Sequence, residues 1–243
     1  MVPNRQASTL AQSVVLVTGA NGGLGTEFVH QALQRGVAKV YASARTPRAW
    51  DDDRIIPLEL DVTDLESIAR AAATASDVTV LINNAGAANG SSLLDHDLAG
   101  ARALFETNFW GPLQVANAFI PALTASGGVL LNVHSVLSWL ALGDTYSATK
   151  AALWSATNTQ RLKLAPAGVH VAGLHLGYAD TPMTAGVDAP KLDPADVVRD
   201  AYDGIEAGEY EILADDLSRQ VKAGLAAPIT ALYPQLVTAA SPI

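Results

Sequence analysis

Ser13–Gly25 reads SVVLVTGANGGLG, an apolar β-branched run that gives way at Thr18 to a turn with four glycines in seven residues. A short, unbroken run of Val and Leu bounded by glycine is the pattern of a strand buried on both faces. Gly19 permits the tight turn, Gly23 lets a backbone approach a pyrophosphate, and Gly25 lets the following helix pack closely on the strand. The free N–H groups around Asn21, Gly22, Gly23 and Leu24, with the positive end of the helix dipole, then face an anion. Glycine is common in ordinary loops. Its placement here, between a strand and a helix at the head of a βαβ unit, favours a nucleotide site over a plain turn.

Outward from that turn, short β-branched runs alternate with longer amphipathic or Ala-rich segments. Strands are expected at Ser13–Thr18, Lys39–Ala44, Ile55–Leu60, Val78–Ile82, Gly128–His134 and Val169–His175, with a seventh at Glu209–Leu213. Helices are expected over Gly23–Arg35, after the capping residues Thr63 and Asp64, over Leu98–Ala125 and over Thr145–Ala165. Continuous apolar strands separated by helices imply an α/β fold, a doubly wound, mostly parallel seven-stranded sheet covered on both faces. Nothing resembles a linker, so residues 13–243 read as one domain behind a flexible tail, residues 1–12. The Gly/Pro-rich stretch Gly177–Pro194 follows a strand end, where open α/β sheets bind ligands, and reads as a substrate lid or as a surface loop.

Composition narrows the function. The chain has 243 residues, 49% hydrophobic and 16% charged, which suits a filled core. Fifteen Lys and Arg against 24 Asp and Glu leave a formal charge of −9, unsuited to a nucleic-acid backbone. Cys is absent, which excludes thiolate metal sites and thiol nucleophiles. No apolar run approaches a membrane span and the N-terminus lacks a signal-peptide core, so a soluble cytoplasmic protein is expected. The five histidines show no metal-ligand spacing, and a G-x-S-x-G elbow is missing.

Four motifs follow the glycine turn in order: Asn83-Asn84-Ala85-Gly86, Asn108 in NFWG, Ser135 after the fifth strand, and Tyr146-Ser-Ala-Thr-Lys150. With T-G-x-x-x-G-x-G, they make residues Ser13 to Met183 resemble the short-chain dehydrogenase/reductase family. Tyr146 and Lys150 lie four apart, on one face of the expected helix. An ammonium beside a phenol favours the phenolate and is expected to lower the phenol pKa towards the operating pH.

The resemblance implies an enzyme that reduces a ketone or aldehyde to an alcohol, reversibly, by hydride transfer from a nicotinamide cofactor. Tyr146 would exchange a proton with the substrate oxygen and Ser135 would hydrogen-bond that oxygen. Lys150 would also bind the nicotinamide ribose, and Asn108 would hold a water in a proton relay. Ser138 competes with Ser135, which is preferred because it ends the strand. Asn84, Ala85, Gly86, Gly177 and Thr181 match cofactor-contacting positions, and Asp61 and Val62 match those that bracket the adenine. Arg45, directly after the second strand, suits a 2′-phosphate, so NADPH (NADP) is expected ahead of NAD. The glycine turn lacks the basic residue that many NADP-users carry.

The pocket is expected to be apolar, formed by Tyr178 and Met183 of the lid facing Trp139, while His134 either lines it or packs. A catalytically silent NAD(P)-binding redox sensor of the same fold is the competing reading, as is an isomerase or epimerase. The family also implies a homodimer or homotetramer joined through the two long helices.

Overall fold

The computed structural model describes residues 10–238. Seven strands, β1 (Val14–Thr18), β2 (Lys39–Ala44), β3 (Ile55–Glu59), β4 (Val80–Asn83), β5 (Val129–Val133), β6 (His170–His175) and β7 (Glu211–Leu213), form one sheet in the order β3-β2-β1-β4-β5-β6-β7. Every pairing is parallel. The helices are α1 (Leu24–Gln34), α2 (Leu65–Thr74), α3 (Ala99–Phe105), α4 (Gly111–Ser126), α5 (Thr145–Leu164), α6 (Pro194–Ala207), α7 (Asp216–Gly224), α8 (Ile229–Leu232) and α9 (Gln235–Thr238). This is the doubly wound architecture expected from the alternation of patterns.

Strand side chains alternate between two cores. Val15, Val17, Ile82, Leu131 and Leu174 meet Phe28 and Val29 of α1 and Tyr202 of α6. Leu16, Leu81, Leu130 and Val171 meet Ile68 of α2 and Val115, Phe119 and Leu123 of α4 on the other face. Tyr202 stands edge-on to Phe28, ring centroids 5.5 Å apart, and its hydroxyl donates to the Phe28 carbonyl at 2.7 Å.

Two expectations change. Residues 1–9 of the expected tail lie outside the described residues, but Leu10 is buried, its N–H donating to Glu206, and the Gln12 N–H donates to the Gly36 carbonyl. The ordered domain therefore begins ahead of Ser13. The single helix expected over Leu98–Ala125 is divided into α3 and α4 by a wide π turn, Glu106–Trp110. Pro112 has no N–H to give the Asn108 carbonyl, and the Gly111 N–H reaches back five residues to Glu106 instead. Gly111 is also where α4 approaches closest: a Cβ there would lie 3.0 Å from Val62.

The chain leaves β3 at one edge and re-enters beside β1 as β4, so the direction of winding reverses between β1 and β4. The crevice beyond their carboxyl ends is the ligand position of such sheets.

Candidate active site

The glycine turn and the Asn83–Gly86 segment meet in that crevice. Gly19 has a φ of +68°, and a Cβ on it would lie 3.0 Å from the Ala85 Cα. At Gly25 an added Cβ would come within 2.1 Å of the Gly19 carbonyl oxygen, so α1 can start against β1 only through glycine. Thr18 and Asn84 lock the two segments. The Thr18 hydroxyl accepts the N–H groups of Asn84 at 3.0 Å and Ala85 at 2.9 Å, while the Asn84 amide donates to the Thr18 carbonyl at 2.9 Å.

Asn84 therefore spends its side chain on shaping the turn, and Asn21 does likewise, donating to the Thr46 carbonyl at 2.8 Å. What remains open to a phosphate is backbone: nothing stands within 4 Å of a Cβ built at Gly22. Thr181 reaches over this cradle, its Cγ2 3.3 Å from a Cβ built at Gly23. Arg45 is exposed beyond β2 and near enough to Asp61 to help hold that carboxyl below its ordinary range. The stronger cause is Thr63, whose N–H and hydroxyl both donate to Asp61, at 2.9 and 2.7 Å. Val62 is buried beneath α4.

On the other side of the crevice stand the four polar residues singled out above. Ser135 lies just beyond β5, near enough to the Tyr146 phenol to pull its pKa down a little. Ser138, the competing candidate, turns back to receive the Ser135 N–H at 3.4 Å. Lys150, one turn after Tyr146 on α5, is buried and donates to the Val133 carbonyl at 2.8 Å, with its Nζ 5.7 Å from the Tyr146 ring centroid. Asn108 projects from the π turn, accepting the Ala87 N–H at 2.8 Å and donating to the Ala87 carbonyl at 2.9 Å and to Thr149 at 3.2 Å. Gly86 leaves space between these groups: a Cβ on it would be 3.4 Å from Asn108 Oδ1 and 3.9 Å from Lys150 Nζ.

The expected tuning of Tyr146 is not found. Burial pushes the phenol up to about 12, against a smaller downward pull from Ser135. Lys150 is itself brought down to about 8 by burial. Desolvation is the leading cause for both groups, and the ammonium, 5.7 Å from the ring centroid, binds the Val133 carbonyl. Between pH 8 and 10 the unfolded chain holds the Lys150 proton more firmly than the folded one, so this group's penalty on stability is relieved as pH rises. Lys150→Met is therefore expected to raise Tm at pH 7 by a few degrees and to flatten the rise in Tm between about pH 8 and 10. Thermal melts across that range check it; a lowered Tm at pH 7 contradicts the sign.

Of the residues expected in the substrate pocket, His134 takes its packing alternative and Trp139 lies elsewhere. His134 and His175 follow each other across β5 and β6 and stack at 4.8 Å, and Trp139 stacks on His175 at 4.1 Å. His134 is buried with its Nε2 3.1 Å from the Thr157 hydroxyl, and Trp139 is buried against Trp154 and the residues after β7. Burial holds His134 well below the usual histidine range and His175 at about 4, so both are neutral packing groups near neutral pH. Tyr178 and Met183 remain exposed on the loop after β6, which is tied by a bridge between Ala179 and Leu192.

Several contributors escaped the sequence reading. Thr18 was visible only as the head of the glycine motif. Asn83 and Asn132, which join β4 to β5 and α4 through bonds at 3.0 Å to each other and 2.9 Å from Asn83 to the Pro112 carbonyl, gave no separate signal.

Fold and site together define a dinucleotide crevice facing a Ser–Tyr–Lys group. The family model for short chain dehydrogenases matches residues 13–191. The crystal structure of a short chain dehydrogenase from Burkholderia cenocepacia J2315 in complex with NADP is 38% identical, with a TM-score of 0.89 over 95% of this chain and 100% of that one. A short-chain dehydrogenase of Penicillium crustosum is 36% identical over 187 residues, 71% of this chain and 68% of that protein. The NADPH-dependent 1-acyldihydroxyacetone phosphate reductase of Schizosaccharomyces pombe is 34% identical over 182 residues, 70% of this chain and 61% of that protein. The chain belongs to the short-chain dehydrogenase/reductase family and is an oxidoreductase of that class.

Proposed function

We propose that the protein reduces a ketone or aldehyde to an alcohol with NADPH, accepting NAD(H) as a second choice. The observation that carries this is the gathering of three groups beyond β5: Ser135 near enough to act on the Tyr146 phenol, and the buried Lys150 with its Nζ 5.7 Å from the Tyr146 ring centroid. The crevice fits a dinucleotide: the cradle at Gly19, Gly23 and Gly25 is one that a Cβ would fill. Backbone N–H groups at Gly22 and Leu24 would hold the pyrophosphate, Asp61 and Val62 would flank the adenine, Thr181 would cover the nicotinamide half, and Lys150 would hold its ribose hydroxyls. The cofactor, when bound, supplies the hydride.

Tyr146 gives its proton to the carbonyl oxygen as that oxygen gains charge, and Ser135 donates a hydrogen bond to the same atom. A phenol raised to about 12 keeps its proton at neutral pH, which suits the reductive direction. Lys150 and Asn108 then stand where a replacement proton would travel to Tyr146. The exposed Tyr178 and Met183 suit a largely apolar substrate.

Among the described residues, no helix is long and apolar enough to cross a membrane. We assign a cytoplasmic setting and a dimer or tetramer built on α4 and α5, where Leu162 is 80% exposed.

A panel of aldehydes and ketones with NADPH, followed by loss of its absorbance, tests the activity; a panel without turnover overturns it. Arg45→Asp is expected to shift the ratio of kcat/KM values from NADPH towards NADH by about 10-fold or more, the worth of one charge-assisted phosphate contact. An unaltered ratio removes Arg45 from the phosphate site.

A further inference from the structure

The chain beyond β7 lies past the residues matched by the family, yet it touches both walls of the crevice. Asp215, only 8% exposed, caps α7: its Oδ1 accepts the Ser218 N–H at 2.6 Å. Its other oxygen, Oδ2, accepts the Gly177 N–H at 2.5 Å. Gly177 opens the loop that carries Thr181 to the glycine cradle, and a Cβ on it would lie 3.2 Å from Asp215 Oδ2. Further along, the Tyr233 hydroxyl accepts the Ala141 N–H at 2.9 Å. Ala141 belongs to the exposed turn that joins Ser135 to Tyr146, the two residues of the proposed proton donor.

The stretch between these two ties is itself anchored. Lys222 lies over the rings of Trp139 and Trp154, at 4.9 and 5.0 Å, and pairs with Glu211, which accepts the Trp154 Nε1–H at 2.6 Å. Val221, Leu225, Leu232 and Tyr233 pack on Val136, Trp139 and Leu140 in a cluster separate from the two cores.

We propose that Asp215–Tyr233 is a strap that fixes the separation of the two cleft walls, with Asp215 and Tyr233 as positioning residues. Asp215 holds the root of the Thr181 loop, and so the cover of the cofactor half. Tyr233 holds the turn that spaces Ser135 from Tyr146, and so the substrate half. Tyr233 acts through one loop N–H, and Asp215 through one loop N–H besides its cap on α7, so the loss of either leaves the sheet and α5 intact. The kinetic part of this inference rests on the reductase reading; the structural part does not.

Tyr233→Phe keeps the ring and removes the acceptor; Asp215→Ala removes the other tie, with Asp215→Asn in reserve should the Ala variant fail to fold. Hydrogen exchange, NADPH titration by fluorescence and steady-state kinetics are measured on the full chain. Tyr233→Phe is expected to speed exchange over residues 137–143 and to raise KM for the carbonyl substrate about 3- to 10-fold, the worth of one hydrogen bond, with kcat and NADPH affinity unchanged. Asp215→Ala is expected to speed exchange over residues 177–184 and to weaken NADPH binding by a similar factor. Unchanged exchange in those loops overturns the strap, as does faster exchange with KM and NADPH affinity both unaltered. If no carbonyl compound is turned over, the reductase reading fails, and exchange together with NADPH affinity alone decides the strap.

Discussion

Tyr146→Phe is expected to lower kcat for carbonyl reduction by about 100- to 10,000-fold, the range that a positioned proton donor contributes. The substitution removes one oxygen and leaves the ring, which is partly buried with Lys150 Nζ 5.7 Å from its centroid, so the fold and NADPH binding should persist. Ser135 keeps the Leu137 N–H at 3.1 Å, and its one hydroxyl proton, given to the Leu176 carbonyl at 3.4 Å, would be free to turn to the substrate oxygen instead. Residual activity in the variant would therefore measure what Ser135 supplies alone. Stopped-flow or steady-state rates beside an NADPH titration separate the two effects. Turnover near wild type removes Tyr146 from the chemistry, and loss of NADPH binding would mean that the ring supports the cofactor crevice instead.

Gly25→Ala should act on the fold rather than the reaction. The new Cβ would meet the Gly19 carbonyl oxygen at 2.1 Å and the Ala20 Cα at 2.9 Å, and both obstacles are backbone atoms that no rotamer change can move. Either α1 withdraws from β1 or the glycine turn deforms, and α1 carries Phe28 and Val29 of one core. Overpacking of this severity costs about 3 kcal/mol or more, which for a domain of this size is roughly 6–12 °C in Tm. NADPH affinity should fall with it, because the N–H groups that face the anion belong to the displaced turn. Gly22→Ala is the control, since a Cβ there meets nothing within 4 Å. Calorimetry on both variants checks the contrast; equal melting temperatures would contradict the close approach at Gly25.

The sheet was readable because each strand is short, β-branched and covered on both faces; the bounds of Lys39–Ala44 were recovered to the residue. The candidate site was legible for a different reason, its resemblance to a family: the motifs in order singled out Ser135, Tyr146 and Lys150, whereas the four-residue spacing of Tyr146 and Lys150 alone fits any helix face. What stayed hidden depends on direction rather than identity. His134, open between lining and packing, packs on His175, and the turn Val136–Ser138 brings Trp139 onto the same ring rather than to face the lid. The rise of the Tyr146 pKa was hidden as well, because spacing places the ammonium near the ring without saying how deeply the phenol itself is buried. The segment after β7 takes its meaning from contacts 38 and 92 residues back in the chain, Gly177 and Ala141, which no local pattern announces.

The widened turn at Glu106–Trp110 amounts to one residue too many for the helical ladder on either side of it. Deleting a single residue upstream within α3 would let the spiral close regularly. It would also swing Asn108 about 100° around the axis, off Ala87 and Thr149, while α4 stayed pinned by Pro112 and Gly111. The surplus residue is thus a phase shifter, letting one rod present apolar side chains to the core along most of its length and a single amide to the crevice.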